Sequence, residues 1–225
     1  MLMLKTPFIL INFKAYKEAS GTRALKLARL IDKLARRARV NLAVAVSVLD
    51  LQVVCQKTSL PVFAQHCDAF DYGAYTGGIL PFLIKEKGAK GVILNHSEKR
   101  LNHEVLVESI KQAKRADLTT LVCATTSREA QKIVKLRPDW IAVEPPELIG
   151  KKSIAQVKPE IIVDSAKLLP KNKLVVGAGI SSGEDVRIAL SLGVVGVLVS
   201  SAVCLAKNPE KVLLELIKGL KIRRG

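Results

Sequence analysis

The sequence is poor in cysteine, and its cysteines are far apart. The 225 residues contain four, Cys55, Cys67, Cys123 and Cys204, and no two of them form a Cys-X-X-Cys pair. This spacing favours neither a compact disulfide framework nor a zinc site, so we expect buried free thiols in a reducing compartment. We predict no metal site.

Long hydrophobic runs and linkers are also missing. The apolar run near the start of the chain is short and broken by Pro7, so we expect neither a signal nor a membrane segment there. No stretch rich in serine, glycine or proline, and no block of like charges, marks a boundary. We therefore expect one domain over residues 1–225, located in the cytoplasm and without a membrane partner.

Acidic residues are scarce relative to basic ones. There are 20 Asp and Glu against 36 Lys and Arg, which gives a net charge of +16. Such an excess is typical either of a nucleic-acid-binding protein or of an enzyme whose field attracts an anionic substrate. The basic residues are spread along the polar faces of several predicted helices, as at Lys26, Arg29 and Lys33, which is typical of a solvated face. We favour the enzyme and expect no specific nucleic-acid partner.

Eight short apolar runs recur along the chain, with helical patterns between them. The runs are continuous rather than alternating, as expected for parallel strands covered on both faces. The predicted strands are residues 8–11, 42–46, 62–64, 91–94, 119–123, 140–143, 174–176 and 194–199. Eight strand–helix repeats predict an α/β fold, with a (β/α)8 TIM barrel first and an open doubly wound sheet second.

Four polar residues come just after the ends of these runs. Asn12 and Lys14 follow the first run, His96 the fourth and Glu144 the sixth. In a barrel, such positions face the active-site rim. This set can move a proton beside a carbonyl group, because the carboxylate removes the proton while the other three groups stabilise the developing enolate. We therefore interpret the four residues as catalytic.

Small residues follow the seventh and eighth runs, at 179–183 and 200–202. Such residues let main-chain N–H groups approach a phosphate closely. Gly177-Ala178-Gly179 could instead begin a dinucleotide fingerprint, but Ser182 stands where its third glycine is needed and the motif follows the seventh strand. The two loops predict a phosphate-binding barrel.

Segments along the whole chain resemble a known family. They read Ile-Asn-Phe-Lys at 11–14, Val-Phe-Ala-Gln-His at 62–66, Gly-Ala-Tyr-Thr-Gly at 73–77, Leu-Asn-His-Ser-Glu-Lys-Arg at 94–100, Val-Glu-Pro-Pro-Glu-Leu-Ile-Gly at 143–150 and Val-Gly-Ala-Gly-Ile-Ser at 176–181. In this order they resemble triosephosphate isomerase, in particular its shorter archaeal type. The resemblance implies a triose phosphate substrate, no cofactor and a homo-oligomer, either a tetramer or a dimer.

The resemblance also implies a role for each rim residue. Glu144 would take a proton from the carbon beside the carbonyl of dihydroxyacetone phosphate and return it to the neighbouring carbon. This transfer interconverts the ketose with D-glyceraldehyde 3-phosphate, a step of glycolysis and gluconeogenesis. His96 would be a neutral electrophile at a helix amino end, which is a known property of the family. Lys14 would stabilise the enediolate oxyanion, Asn12 would orient it, and Glu98 would pair with Lys14.

The same resemblance implies which residues hold the substrate. The loop after Glu144 would close over it as a lid. The substrate- and phosphate-binding residues would be Asn12, Lys14, Ile149, Gly150, Gly179, Ser200 and Ser201. Lys151 and Lys152 stand where the lid tip usually has Thr-Gly, and Ala202 stands where a glycine is usual. We expect these departures to affect substrate affinity and lid kinetics rather than the type of reaction.

Two other functions compete with the isomerase. One is another phosphate-sugar barrel, such as a synthase or an aldolase, but an aldolase needs a Schiff-base lysine within a strand and the predicted strands contain none. The other is a barrel that serves as a basic binding protein, against which the four intact rim residues argue.

Loop three, residues 68–78, carries Tyr72 and Tyr75 and is expected at a dimer contact.

Overall fold

Eight parallel strands close into a barrel in the computed structural model, which describes residues 4–148 and 153–221. Each strand pairs with the next along the chain, and the last pairs with the first. The strands are β1 Phe8–Asn12, β2 Asn41–Val46, β3 Val62–Ala64, β4 Gly91–Leu94, β5 Thr119–Ala124, β6 Trp140–Val143, β7 Leu174–Val176 and β8 Gly196–Val199. The (β/α)8 prediction is confirmed, and the closed sheet excludes the open doubly wound alternative.

Every predicted strand is present, and the largest difference in bounds is at β8. This strand begins at Gly196, two positions later than the apolar run. The Val195 N–H already donates to β7 at 2.8 Å, and the Val195 carbonyl accepts from Phe8 at 3.3 Å. Val194 still follows the turn at residues 192–193. The run is therefore longer than the strand because it also covers the approach to the sheet.

Both faces of the strands are buried, which is why their sequences are continuously apolar. One face points into the barrel, where the rings of Phe8 and Trp140 lie 4.6 Å apart between centroids. The interior also contains Leu10, Ala43, Ala45, Phe63, Ile93, Leu121, Ala142, Val175 and Leu198. Residues of the other face, such as Ile9 and Ile11, belong to the layer packed against the helices. The barrel is a filled core, so a ligand site has to lie at its rim.

Helices cover the outside of the barrel. They are α1 Thr22–Ala38, α2 Val48–Lys57, α3 Pro81–Glu86, α4 His103–Arg115, α5 Ser127–Ile133, α6 Ile154–Val157, α7 Pro159–Leu168, α8 Gly183–Ser191, α9 Ser201–Cys204 and α10 Pro209–Lys221. In α1, Leu27 and Ile31 are buried while Lys26, Arg29 and Lys33 are exposed, so the basic residues form a solvated face. Within the described ranges, none of these helices is both long and apolar enough to cross a membrane.

Helices α8 and α10 approach each other closely through two glycines. A Cβ on Gly219 would lie 2.2 Å from the Gly183 carbonyl oxygen, and a Cβ on Gly183 would lie 2.3 Å from the Glu215 carbonyl oxygen. A backbone oxygen can move aside only if its helix shifts, so both positions require glycine. Gly183 is the first residue of α8, so this contact also fixes the helix that follows loop seven, the segment at residues 177–182 between β7 and α8.

We predict that Gly219→Ala destabilises the protein by about 1–3 kcal/mol, because the added methyl group overpacks the contact between α8 and α10. Each kcal/mol should lower the melting temperature by about 2–4 °C in thermal unfolding followed by circular dichroism. Lys211→Ala, on the exposed side of α10, is the control and should change stability by less than about 0.5 kcal/mol. Helix propensity alone predicts that Gly219→Ala stabilises by up to about 1 kcal/mol, so a higher melting temperature would contradict the close approach.

Candidate active site

Residues that follow five different strands line one cavity at the rim of the barrel. The cavity has a volume of about 550 Å³. The predicted site residues that line it are Asn12, Lys14, His96, Glu98, Glu144, Gly179, Ser200 and Ser201. The closed parallel barrel therefore brings together groups that are far apart in the sequence.

The side chain of Gln65 holds loop one in place, the segment at the end of β1 that contains Asn12 and Lys14. Lys14 has a left-handed backbone, with φ of +49°, and its N–H donates to Asn12 Oδ1 at 3.0 Å. Gln65 Nε2 donates to Asn12 Oδ1 at 3.2 Å and to the Lys14 carbonyl oxygen at 3.0 Å. The sequence analysis missed Gln65. Its position directly after β3 is the signal that could have identified it.

Glu98 orients the cation of Lys14. The Lys14 Nζ lies 2.5 Å from Glu98 Oε1, and the two side chains are 10% and 56% exposed. A largely buried ammonium group is costly without a partner, so the carboxylate holds Nζ beside the cavity. The ion pair that the resemblance implied is present.

The imidazole of His96 is held in one tautomer. Its Nδ1 accepts a hydrogen bond from the backbone N–H of Glu98 at 3.2 Å. A ring nitrogen that accepts is unprotonated, so the proton of the neutral ring lies on Nε2. The distance from Nε2 to Glu144 Oε2 is 3.7 Å, too long for a hydrogen bond. This N–H can therefore serve an oxygen atom of a ligand in the cavity.

One implied feature of His96 is wrong. The chain directly after His96 forms a turn, and the next helix, α4, begins only at His103. No helix amino end therefore lies at the position that the resemblance implied, within the described residues. The Glu98 amide in this turn supplies the same kind of donor, a backbone N–H aimed at the ring.

Neither of the other two histidines lines this cavity. His66 Nε2 lies 3.1 Å from Asp68 Oδ1 within loop three, and His103 is exposed at the start of α4. In the part of the chain that the structure describes, no group of three or more His, Cys, Asp and Glu side chains is placed to hold a metal ion.

Glu144 is buried and has few hydrogen bonds. Its exposed fraction is 6%, and Oε2 has no hydrogen-bond partner among the described residues. Burial raises the pKa of this carboxyl, against the opposing effects of the nearby His96 and of a hydrogen bond with the Cys123 thiol. A buried carboxylate with a raised pKa is suited to accept a proton at neutral pH.

The Glu144 side chain occupies the space left by a glycine. A Cβ on Gly177, directly after β7, would lie 2.1 Å from Glu144 Oε1. This role was not predicted from the sequence, where Gly177 was considered only as the start of a possible dinucleotide fingerprint. Cys123 was predicted only to be a buried thiol. Cys123 lies in β5 and Gly177 directly after β7, the two strands that pair with β6, so strand order in the barrel is needed to see the contacts.

The amides of loop seven fall into two groups. The N–H groups of Ser181 and Ser182 each donate to Asp185 Oδ2 at 2.9 Å, so they are engaged within the protein. Gly179 and Ile180 line the cavity. Three residues of the predicted span 179–183 therefore line the cavity, Gly179, Ile180 and Ser181, and the N–H of Ser181 is engaged by Asp185.

Loop eight contributes the start of the short helix α9. Ser201 and Ala202 line the cavity, and the first amides of a helix have no acceptor within it. The Ser200 hydroxyl is engaged by the Asn12 carbonyl at 2.7 Å. The remaining predicted contacts, Ile149 and Gly150, and the two lysines of the predicted lid tip, Lys151 and Lys152, lie outside the described residues.

We predict that Glu144→Gln is more stable than the parent protein at pH 7. Because the folded-state pKa is raised, the stability that protonated Glu144 contributes is present below its unfolded pKa of about 4.3 and is lost as pH rises through the folded value. The neutral amide avoids this loss, so the difference in melting temperature should shrink toward pH 4. Glu104→Gln, at an exposed position, should show no such trend. Lower stability of Glu144→Gln than of the parent protein at pH 7 would refute the interpretation that burial raises the pKa of Glu144.

Comparisons with known proteins agree with this geometry. The family model "Triosephosphate isomerase" matches residues 7–220. The chain is 39% identical to the triosephosphate isomerase of Metallosphaera sedula over 96% of each chain. It is 42% identical to that of Methanothermus fervidus over 94% of this chain and 97% of the relative. Its fold matches the crystal structure of the Bartonella henselae enzyme with a TM-score of 0.70 at 22% identity, covering 95% of this chain and 97% of that one. The chain belongs to the triosephosphate isomerase family.

Proposed function

We propose that the protein interconverts dihydroxyacetone phosphate and D-glyceraldehyde 3-phosphate by proton transfer through an enediolate. The observation that carries this proposal is that Glu144, His96 and Lys14 converge on a cavity whose wall includes the main chain of loops seven and eight. The side chains suit a proton transfer beside a carbonyl group, and the amides suit a phosphate. The reaction needs no cofactor, because it moves only two protons, one between adjacent carbons and one between their oxygens, and an electron pair within the substrate.

Glu144 is the proposed base. It takes a proton from carbon 1 of the ketose, the C–H electron pair forms the enediolate, and the same carboxyl returns a proton to carbon 2. The hydroxyl proton on the carbon 1 oxygen passes to the carbon 2 oxygen, which completes the conversion to the aldose. One group can serve both carbons because they are adjacent. The burial that raises its pKa and the unpaired Oε2 support this role.

Three groups stabilise the enediolate in this mechanism. His96 Nε2–H donates to the substrate oxygens, and the Lys14 cation balances their developing charge. Asn12 Oδ1 already accepts from the Lys14 N–H and from Gln65, so its amide NH2 remains to orient the substrate. The substrate-side donors are thus fixed before the ligand enters, which avoids a cost of reorganisation during the reaction.

The phosphate group is proposed to bind at the main chain of Gly179 and Ser201. Ser200 is proposed to support this site, because its hydroxyl links loop eight to the Asn12 carbonyl in loop one. Ile149 and Gly150 are proposed to belong to a lid that closes over it. Closure excludes water and prevents loss of phosphate from the enediolate. The net charge of +16 supports attraction of this anionic substrate.

We also propose the broader setting of this enzyme. It is a cytoplasmic enzyme of the archaeal type, built as one domain over residues 1–225, which acts in glycolysis and gluconeogenesis. The similarity to the Metallosphaera and Methanothermus relatives supports the archaeal assignment. The exposed basic residues of α1 support a solvated surface rather than a specific nucleic-acid site.

The enzyme is proposed to be a homo-oligomer, a dimer or a tetramer, with loop three at a dimer contact. Tyr72 and Tyr75 in this loop are 61% and 49% exposed, and the Phe70 and Tyr75 rings stack with centroids 3.8 Å apart. A second cavity of about 300 Å³ shares His96 with the catalytic cavity and is also lined by Gln65. An exposed aromatic loop and an open cavity suit the two halves of an isologous contact. The partner subunit would then cover one wall of the site.

Glu144→Gln should lower kcat by about 10²–10⁴-fold, the usual contribution of a general base. Glu144→Asp should retain far more activity, because a shortened carboxylate still accepts a proton and an amide does not. A coupled assay of glyceraldehyde 3-phosphate formation measures both, with the exposed Glu104→Gln as the control that keeps parental activity. Equal residual activity in the two Glu144 variants would remove Glu144 from this role.

Sedimentation in moderate salt should give a dimer or tetramer mass for the parent protein and a smaller mass for Tyr75→Ala. An aromatic anchor at an interface can contribute about 2 kcal/mol or more, and the substitution removes it. Leu214→Ala, at another exposed apolar residue, should leave the mass unchanged. A fully active, monodisperse parent monomer would contradict the oligomer proposal and leave the catalytic one intact.

A further inference from the structure

Asp185 is a buried carboxylate that the proposed reaction steps do not use. It lies in the first turn of α8 and is 1% exposed. Its Oδ2 accepts from the Ser181 N–H at 2.9 Å, the Ser181 hydroxyl at 3.3 Å and the Ser182 N–H at 2.9 Å. Its Oδ1 accepts from Gln156 Nε2 at 2.6 Å. All four donors are neutral groups.

Helix capping explains only part of this arrangement. Ser182 and Asp185 form a capping box at the start of α8, which uses the Ser182 amide. The bonds from Ser181 and Gln156 are not needed to cap the helix. They connect Asp185 to two segments beside the cavity, loop seven and the chain that follows residue 152.

In loop seven, Asp185 determines which amides remain for a ligand. Ala178 and Gly179 both have left-handed backbones, with φ of +67° and +73°, so the chain turns sharply before Ser181. Gly179, Ile180 and Ser181 all line the cavity wall, and Asp185 engages the amide of Ser181 but not those of Gly179 and Ile180. Consecutive amides in such a turn form an anion-binding concavity. The left-handed alanine is strained, and strain of this kind persists only where surrounding bonds fix the backbone.

The segment at residues 153–157 is tied to the same turn. The Ile154 N–H donates to the Ala178 carbonyl oxygen at 3.2 Å. Gln156, two residues later in α6, reaches Asp185. The segment at residues 153–157 is thus held against loop seven both by its backbone and through the buried carboxylate.

The carboxylate keeps these bonds at neutral pH. Burial alone would raise the pKa of Asp185, but the hydrogen bonds from Ser181 and Ser182 outweigh it and hold the pKa below its ordinary value. Asp185 is therefore an ionised acceptor at neutral pH, where the proposed base acts.

We propose that Asp185 is a positioning residue for the phosphate group of the substrate. It sets the amides of Gly179 and Ile180 in place and fixes residues 153–157 against them. The inference rests on the proposed function for the identity of the substrate. Because Asp185 acts on the phosphate end, its loss weakens the use of phosphate binding energy and leaves the proton transfer itself intact.

The test compares two substrates that differ only in the phosphate, D-glyceraldehyde 3-phosphate and D-glyceraldehyde. Asp185→Asn keeps the shape of the side chain, but an NH2 group replaces one of the two carboxylate oxygens. If it replaces Oδ2, the bonds from loop seven are lost, and if it replaces Oδ1, the bond from Gln156 is lost. We expect kcat/KM to fall about tenfold or more for the phosphorylated substrate, as for loss of a hydrogen bond to a charged group. For D-glyceraldehyde it should stay within about twofold.

Glu184→Gln is the matched control. It removes one negative charge from the adjacent residue, but Glu184 is exposed and bonds Arg187 rather than loop seven. It should change neither substrate's kcat/KM by more than about twofold. Gln156→Leu removes only the bond to Asp185 Oδ1 and should show a smaller loss, specific to the phosphorylated substrate. This variant also serves if Asp185→Asn does not fold.

Equal losses for the two substrates, or no loss for either, would overturn the proposal. Binding of inorganic phosphate, measured by titration calorimetry, gives a readout independent of turnover. The parent protein should bind it about tenfold more tightly than Asp185→Asn. If the parent shows this difference but does not isomerise triose phosphates, the proposed function fails and the role of Asp185 stands. Equal phosphate affinity in an active parent and the variant would refute the role of Asp185 alone.

Discussion

The pairing of β1 with β8 is the constraint on which the rest of the structure depends. Because all eight strands are parallel, closing the sheet places the residues that follow them on one rim. The pairing also joins the two ends of the chain at the cavity, where Ser200 donates to the Asn12 carbonyl across 188 positions of sequence. Inside the barrel, Gly196 leaves room for the Phe8 ring, which a Cβ there would meet at 2.6 Å. The geometry of the site is thus a consequence of closure, and loop sequences only refine it.

Glu144 and Asp185 are two buried carboxyl groups near the site whose surroundings shift their pKa values in opposite directions. Burial raises the pKa of Glu144, and Oε2 finds no hydrogen-bond partner among the described residues. Burial acts in the same direction on Asp185, but its hydrogen bonds more than offset that effect and lower the pKa. A group that is poorly satisfied when ionised is ready to take a proton, whereas one that is fully satisfied keeps its charge and fixes its neighbours. The number of donors around each group therefore separates the proposed base from the proposed positioning residue.

Most of the fold and the principal site residues could be predicted from the sequence, because both depend on local patterns. Continuous apolar runs mark strands buried on two faces, and a polar residue just after such a run marks the rim. Gln65, Gly177 and Asp185 could not be assigned in this way. Their roles depend on contacts between loops that the barrel brings together, such as Gln65 with Asn12 and Gly177 with Glu144. The prediction of a helix amino end at His96 was wrong, because the chain there forms a turn. The Glu98 N–H in this turn donates to the ring.

The most direct test of the central claim, that Glu144 carries a proton between adjacent carbons, is solvent isotope incorporation followed by proton NMR. Dihydroxyacetone phosphate is converted in deuterium oxide, and the aldose product is examined at carbon 2. A proton held by a carboxyl group exchanges with solvent in competition with its return to the substrate, so a proton carrier admits deuterium into the product. The account predicts deuterium at carbon 2 with the parent protein and no such product at a comparable rate with Glu144→Gln. Undiminished deuterium incorporation at carbon 2 by the variant would contradict it.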